Sequence, residues 1–150
     1  MIKKLDNTVE NQKVLTQYLR EVDKDFEIPL SNKTNLEIYA TKLLDFGIVL
    51  VSLDCGHFNG ILAGYCNDTN SGNATITILS VKKHSRGQGI SHQLICKMID
   101  SCREAGMRKI LVDSVNPVAI SSYLSSGFHI IKCESNDERI KTFLQYIIMI

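Results

Sequence analysis

The spacing of apolar side chains changes period several times along the chain. From residue 8 to residue 25, Val14, Leu15, Tyr18, Leu19 and Val22 recur at helical spacing, with Asn7 and Glu10 placed as a cap pair. A second helix is predicted over 35–46, where Thr34 and Glu37 form an S/T-x-x-E capping box ahead of Leu36, Tyr39, Leu43 and Leu44. The polar stretch "DFEIPLSN" joins the two. Beyond it the period falls to two. "IVLVSLD", "GILAGYCND" and "NATITILSV" are short β-rich runs separated by "CGHFN" and "TNSG", the pattern of an antiparallel meander with hairpin turns.

Helical spacing returns at Ile90, Leu94, Ile95, Met98, Ile99 and Cys102 and stops at Gly106. "KILVDSV" reads as a buried strand. Asn116 and Pro117 are an N-cap and first-turn pair for a short helix that stops at Gly127. "FHIIKC" and "TFLQYIIMI" read as two final strands. With the first few residues paired, the order is βααβββαβαββ: an α/β fold whose central sheet is mostly antiparallel and flanked by helices.

Composition narrows the class. A chain of 150 residues is one ordinary domain, 1–150. Apolar content of 44% and charged content of 22% are those of a globular protein. A net charge of +1 gives no general affinity for nucleic acid or for a membrane surface. "MIKKLDNTVENQ" has no apolar core of a secretory signal, and "FGIVLVSL" and "YIIMI" fall far short of the roughly 18 residues that cross a bilayer. A soluble, cytoplasmic protein is expected. The cysteines Cys55, Cys66, Cys96, Cys102 and Cys133 are odd in number and show no zinc-type spacing, so reduced thiols and no metal site are expected.

The candidate chemistry lies in "VKKHSRGQGISHQL", residues 81–94, where a glycine loop joins a strand to a helix. Such a junction offers unpaired N–H groups at the positive end of the helix dipole, a ready anion site. Arg86, Gly87, Gln88, Gly89, Ile90 and Ser91 form the loop, and its glycines let a ligand approach the backbone. Charge supports this: residues 82–109 hold seven bases against two acids, whereas residues 1–54 hold seven bases against nine acids. Lys82, Lys83 and Arg86 are the basic side chains best placed for phosphate. A P-loop is excluded because Ile90 and Ser91 stand where Lys and Ser or Thr are needed. The dinucleotide fingerprint is excluded by His92 in place of its third glycine and by the antiparallel context.

The string "ITILSVKKHSRGQGISHQLI" resembles motif A of the GNAT family of N-acetyltransferases, Arg or Gln, two residues, Gly, one residue, then Gly or Ala. Arg86 and Gly89 match, and Ser91 departs from the last position. "NPVAISSYLSSGF" resembles motif B of the same family through Asn116, Ala119, Tyr123, Gly127 and Phe128. The resemblance implies a twisted sheet whose middle strands splay to hold acetyl-CoA as co-substrate. By the same resemblance, the amides from Arg86 to Ser91 hold the pyrophosphate, and the backbone of Leu79, Ser80 and Val81 pairs with the pantetheine like an added strand. Asn116 caps its helix and is free to bond the cofactor. Tyr123 occupies the position of the general acid.

The chemistry implied is transfer of an acetyl group to a primary amine by direct attack in a ternary complex. An amine of pKa near 10.4 is only about 1 part in 2,500 neutral at pH 7, a handicap of roughly 4.6 kcal/mol, so a proton acceptor matters. Many relatives carry a glutamate on the strand before the loop; here "NATITILSV" has none. A water chain, Asp25 or Glu27 are the alternatives; His57 is read as exposed at a hairpin tip, and His84, beside the loop, as touching phosphate or solvent without a catalytic role. The first helical segments and "CESNDERIK" are expected to shape the acceptor pocket, with Asp25, Glu27, Glu134, Asp137 and Glu138 suited to a cationic small-molecule or peptide amine. The apolar "YIIMI" could pair across a homodimer. A non-catalytic acyl-CoA-binding or sensing module of the same fold is the alternative to an enzyme.

Overall fold

The computed structural model describes residues 1–136 and 139–148. Strand β1 (Ile2–Lys4) is followed by helices α1 (Val9–Val22) and α2 (Leu36–Phe46), then by strands β2 (Ile48–Asp54), β3 (His57–Tyr65) and β4 (Asn73–Val81). Helix α3 (Ile90–Glu104), strand β5 (Lys109–Ser114), helix α4 (Pro117–Ser125) and strands β6 (His129–Asn136) and β7 (Arg139–Ile147) complete the order expected from the periodicity. Ile2 does pair, opposite Ser52. The seven described strands form one sheet in the order β1-β2-β3-β4-β5-β7-β6. Its neighbours are antiparallel except β4 and β5.

Local chemistry moves several boundaries. Thr8, rather than Asn7, caps α1 by accepting the Asn11 N–H at 3.0 Å. Asn35, rather than Thr34, caps α2 through the Ile38 N–H. In both cases the residue one step nearer the first apolar position supplies the oxygen, and both residue types are good caps. Helix α1 stops at Val22 and passes into a 3₁₀ turn, Asp23–Asp25. The turn between β2 and β3 is only Cys55 and Gly56, both at positive φ, so His57 already belongs to β3 opposite Asp54.

The sheet carries a core on each face. Leu15, Tyr18, Leu19 and Val22 of α1 and Ala40, Leu43 and Leu44 of α2 cover one side together with Val49, Val51, Ile61, Ala63 and Ile78. Leu94, Ile95, Met98 and Cys102 of α3 cover the other with Leu50, Leu62, Ala74, Ile76, Ile110 and Phe128. Ile76 and Ile78 therefore face opposite sides, which a regular strand with a period of two forbids. The cause is a bulge. Ile78 pairs with Ala63 while Ile76 pairs with Gly64, leaving Thr77 as the extra residue. A Cβ on Gly64 would lie 2.1 Å from the Thr75 carbonyl oxygen, so only glycine admits this close approach.

Strand β7 lies between β5 and β6, with its backbone groups shared by both neighbours. Within "YIIMI", Tyr146 and Ile147 pair with β5 but lie beyond the β6 register, which ends at Gln145 opposite His129. At this end of the sheet the edge strand is β6, and Met149 and Ile150 lie outside the described residues.

Candidate functional site

The bulge at Thr77 turns β4 away from β5. The two pair only at Asn73, Ala74 and Thr75, opposite Lys109, Ile110 and Leu111. Beyond that point the strands splay, and a cavity of about 570 Å³ opens between them. Its walls are β4 from Ile76 to Val81, β5 from Val112 to Ser114, the start of α4, and the α1–α2 connection at Asp25 to Ile28 and Leu30.

Backbone direction along β4 decides what the gap can bind. The Lys82 N–H donates to the Asn59 carbonyl on β3, so the Val81 carbonyl, at the other end of the same peptide unit, points into the gap. By the period of two, Leu79 and Val81 direct their backbone groups into the gap, whereas Ser80 directs its own toward β3, where it pairs with Ile61. Of the expected trio, Leu79 and Val81 turn backbone that no strand pairs toward an extended ligand, although the Val81 carbonyl accepts from the Arg86 side chain. Ser80 serves from the other side. The Tyr18 hydroxyl lies 3.3 Å from the Ser80 hydroxyl and 3.4 Å from its carbonyl oxygen, tying α1 to the splayed strand. Burial pushes the Tyr18 phenol up to about 12.

The loop at the end of β4 differs from every other helix start described. Thr8, Asn35 and Asn116 cap α1, α2 and α4 with side-chain oxygens, but α3 begins at Gly89 in the left-handed region, φ +79°, with no side-chain cap. The amides of Ile90, Ser91 and His92 have no carbonyl one turn back to bond, and the first helical bond is that of Gln93 to Gly89. A Cβ on Gly87 or Gly89 would meet nothing within 4 Å, so the space over both is open. This is a cradle for an anionic group at the positive end of a 15-residue helix. Arg86 and Ser91 line the cavity as well, while Ile90 turns into the core. The fit to a cofactor carrying a pyrophosphate and an extended amide arm is good.

The basic side chains are placed less uniformly than the sequence implies. Lys82 is drawn to Glu21 of α1 and lies over the Tyr18 ring, 5.4 Å from its centroid, away from the loop. Arg86 donates from Nε to the Val81 carbonyl at 3.0 Å and reaches Asp25 at 3.7 Å. His57 and His84 border a separate groove of about 320 Å³ rather than the gap.

Across the gap from β4 stands α4. Asn116 opens it by accepting the Val118 N–H at 2.9 Å, which uses its oxygen and leaves its amide nitrogen as the remaining donor group. Tyr123 lines the cavity, is 2% exposed, and packs against Phe128 with ring centroids 5.3 Å apart. Gly127 at φ +101° lets the chain turn so that the Phe128 N–H bonds the Tyr123 carbonyl. Burial, and secondarily the negative charge of Asp113, hold the Tyr123 phenol well above its ordinary range. It is a protonated donor at any physiological pH.

Asp113 is the site residue that the sequence reading missed. It lies at the end of β5, lines the gap, and is 3.7 Å from Lys141 of β7. The one available signal was its place at the C-terminal end of a strand beside a glycine-loop helix. Asp25 and Glu27 do border the cavity, Glu27 bonded to Arg139 at 2.9 Å. Glu134 does not: it sits on the exposed edge strand β6 and pairs with Lys132. Asp137 and Glu138 lie outside the described residues. No cluster of three or more metal-ligating side chains occurs among the described residues, nor any helix long and apolar enough to cross a membrane.

Residues 56–147 match the sequence profile of the acetyltransferase (GNAT) domain. Among solved structures, the chain is similar to an aminoglycoside 6'-N-acetyltransferase complexed with coenzyme A, at 13% identity and a TM-score of 0.81, over 100% of this chain and 98% of that one. It is similar to the aminoglycoside 6'-N-acetyltransferase from Enterococcus faecium at 14% identity and a TM-score of 0.80, over 100% and 98%. It is also similar to a GNAT-family acetyltransferase from Staphylococcus aureus Mu50, at 18% identity and a TM-score of 0.76, over 99% and 100%. At these identities the likeness is one of fold. No curated protein matches the chain.

Proposed function

The chain belongs to the GNAT acetyltransferase family, and on that premise we propose that residues 1–150 form one domain that moves the acetyl group of acetyl-CoA to a primary amine. The observation that carries this reading is the meeting of two features in one gap: β4 backbone at Leu79 and Val81 that no strand pairs, and a buried Tyr123 lining it. Bound acetyl-CoA supplies an activated acetyl group as a thioester. The amides from Gly87 to Ser91 hold its phosphates, with Arg86 beside them, and the backbone of Leu79 and Val81 orients its amide arm. Asn116 offers its amide nitrogen from the opposite wall.

Tyr123 keeps its proton at Oη until a leaving thiolate needs it, because burial makes the phenolate costly. Asp113 lines the gap and its charge acts on the Tyr123 phenol; it takes the proton that the amine sheds and fills the role for which β4 has no residue. A module that only bound acyl-CoA would have no use for a buried donor there.

Replacement of Tyr123 by Phe tests the reading. Acetylation of a simple amine should fall about 100-fold, the low end for loss of a general acid, with coenzyme A affinity unchanged. An unchanged rate would remove Tyr123 from the chemistry. Coenzyme A binding without turnover of any amine by the wild type would favour the binding module. In a thermal melt, coenzyme A at 100 times its Kd should stabilise the fold by about 2.7 kcal/mol; absence of any shift would overturn the cofactor assignment.

A further inference from the structure

Arg86 occupies a place that the bound cofactor needs. Its Nε–H donates to the Val81 carbonyl at 3.0 Å, and that carbonyl points into the splayed gap. Its terminal nitrogen lies 3.7 Å from the Asp25 carboxylate on the α1–α2 connection. One guanidinium therefore bridges the two walls of the cavity, since Asp25, Val81 and Arg86 all line it. The bridge covers two groups at once, a backbone acceptor on the cofactor side and a carboxylate on the acceptor side.

Resting on the acetyltransferase reading, we infer that Arg86 is a displaceable tether: paired with Asp25 it masks that carboxylate and, drawn onto the cofactor's phosphates, it uncovers Asp25 as the site for the ammonium group of the acceptor. Three physical points support the exchange. The Arg86–Asp25 pair is about half exposed on both sides, so it is worth little and yields to a stronger partner. A pyrophosphate carries more charge than a carboxylate and accepts bidentate guanidinium bonds. Arg86 also begins the glycine loop that cradles the anion, so its side chain can reach the phosphates without moving a strand. Glu27, held by Arg139 at 2.9 Å, and Asp113, beside Lys141, keep their partners, because neither basic side chain belongs to the loop. Asp25 is the carboxylate of this wall whose partner the cofactor removes.

Asp25 touches the acceptor and not the cofactor, so Asp25→Asn gives an outcome that a structural role would not. Titration calorimetry with coenzyme A should show affinity rising about threefold to tenfold over wild type, because the tether no longer competes for Val81 and Arg86. Coenzyme A affinity that is unchanged or weaker in Asp25→Asn overturns the tether. In steady-state assays with acetyl-CoA and benzylamine, ethanolamine or spermidine, the same variant should raise KM for the amine at least tenfold while changing kcat by less than threefold. A KM that does not move, or no turnover of these amines by wild type, overturns the ammonium site. Asp25→Ala checks that the effects follow loss of charge. If wild type does not bind coenzyme A at all, the failure is that of the acetyltransferase reading instead.

Discussion

Asn73 to Thr75 and Ile78 to Val81 are two stretches of one strand: the first pairs with β5 and meets β3 only at Thr75, whereas the second pairs with β3 and has no strand on its other side. The first stretch is held by β5, with Ala74 fully buried. The second has lost β5 and turned its free backbone toward a cavity. Between them lie Ile76 and the one extra residue of the bulge, Thr77. The binding gap is thus made by withdrawing a partner from half a strand, and the unsatisfied groups this leaves are tolerable because a ligand or water can take them. The four helix starts repeat the contrast: three are closed by their own side chains and one is left open.

The sharpest way to break the comparison is at the bulge. Gly64→Ala would push a Cβ against the Thr75 carbonyl and the Ile76 Cα, both backbone atoms that cannot rotate away. A loss of about 3 kcal/mol is expected, or roughly 10 °C in Tm, with the loss of coenzyme A binding as the gap closes or distorts. Normal stability in a thermal melt would mean that the bulge is not what parts the strands.

The helix starts give a finer test. Gly89→Ala places a Cβ in open space at φ +79°, so its cost to folding is about 1 kcal/mol from backbone strain alone. Its cost to coenzyme A affinity should be larger, tenfold or more, because the methyl group stands where phosphate is held. Asn35→Ala removes a cap and also costs about 1 kcal/mol, yet should leave coenzyme A affinity untouched. Equal effects of the two on affinity would erase the distinction between open and closed helix starts.

The last test concerns the brace behind the free half of β4, whose effect is confined to alkaline pH. Tyr18 is neutral in the fold with its pKa raised to about 12, so the folded state holds that proton more tightly than the unfolded chain does. Its contribution is complete below pH 10 and is lost as pH rises from 10 toward 12, on the order of 2–3 kcal/mol. Tyr18→Phe should flatten the decline in stability over that interval in chemical denaturation. A decline as steep as that of wild type would place the alkaline sensitivity elsewhere.

Element order, the anion loop and the helix that carries Tyr123 were legible along the chain because each depends on neighbours close in sequence. Apolar period separates helix from strand. Gly87 and Gly89 announce a backbone that must be approached, and Asn116-Pro117 announces a helix start. The bulge was not legible. "NATITILSV" alternates evenly enough, and only the pairing of Ile76 with Gly64 and Ile78 with Ala63 shows that its two halves face opposite ways. Asp113 was passed over for the same reason: within "KILVDSV" it looks like one polar residue on a buried strand, and it becomes a site residue only because β4 diverges beside it.

The charges divide in the same way. The sequence by itself determined that a basic segment surrounds the loop, since composition is local and independent of pairing. Which bases face the anion was decided by tertiary contacts: Lys82 is taken by Glu21 and Arg86 is shared between Val81 and Asp25. Those partners lie some sixty positions upstream or come from the backbone itself, beyond what any periodicity encodes. Local propensity can specify an element and its ends, but the free edge, the open gap and the partner of each charge arise only when distant strands and helices are packed together.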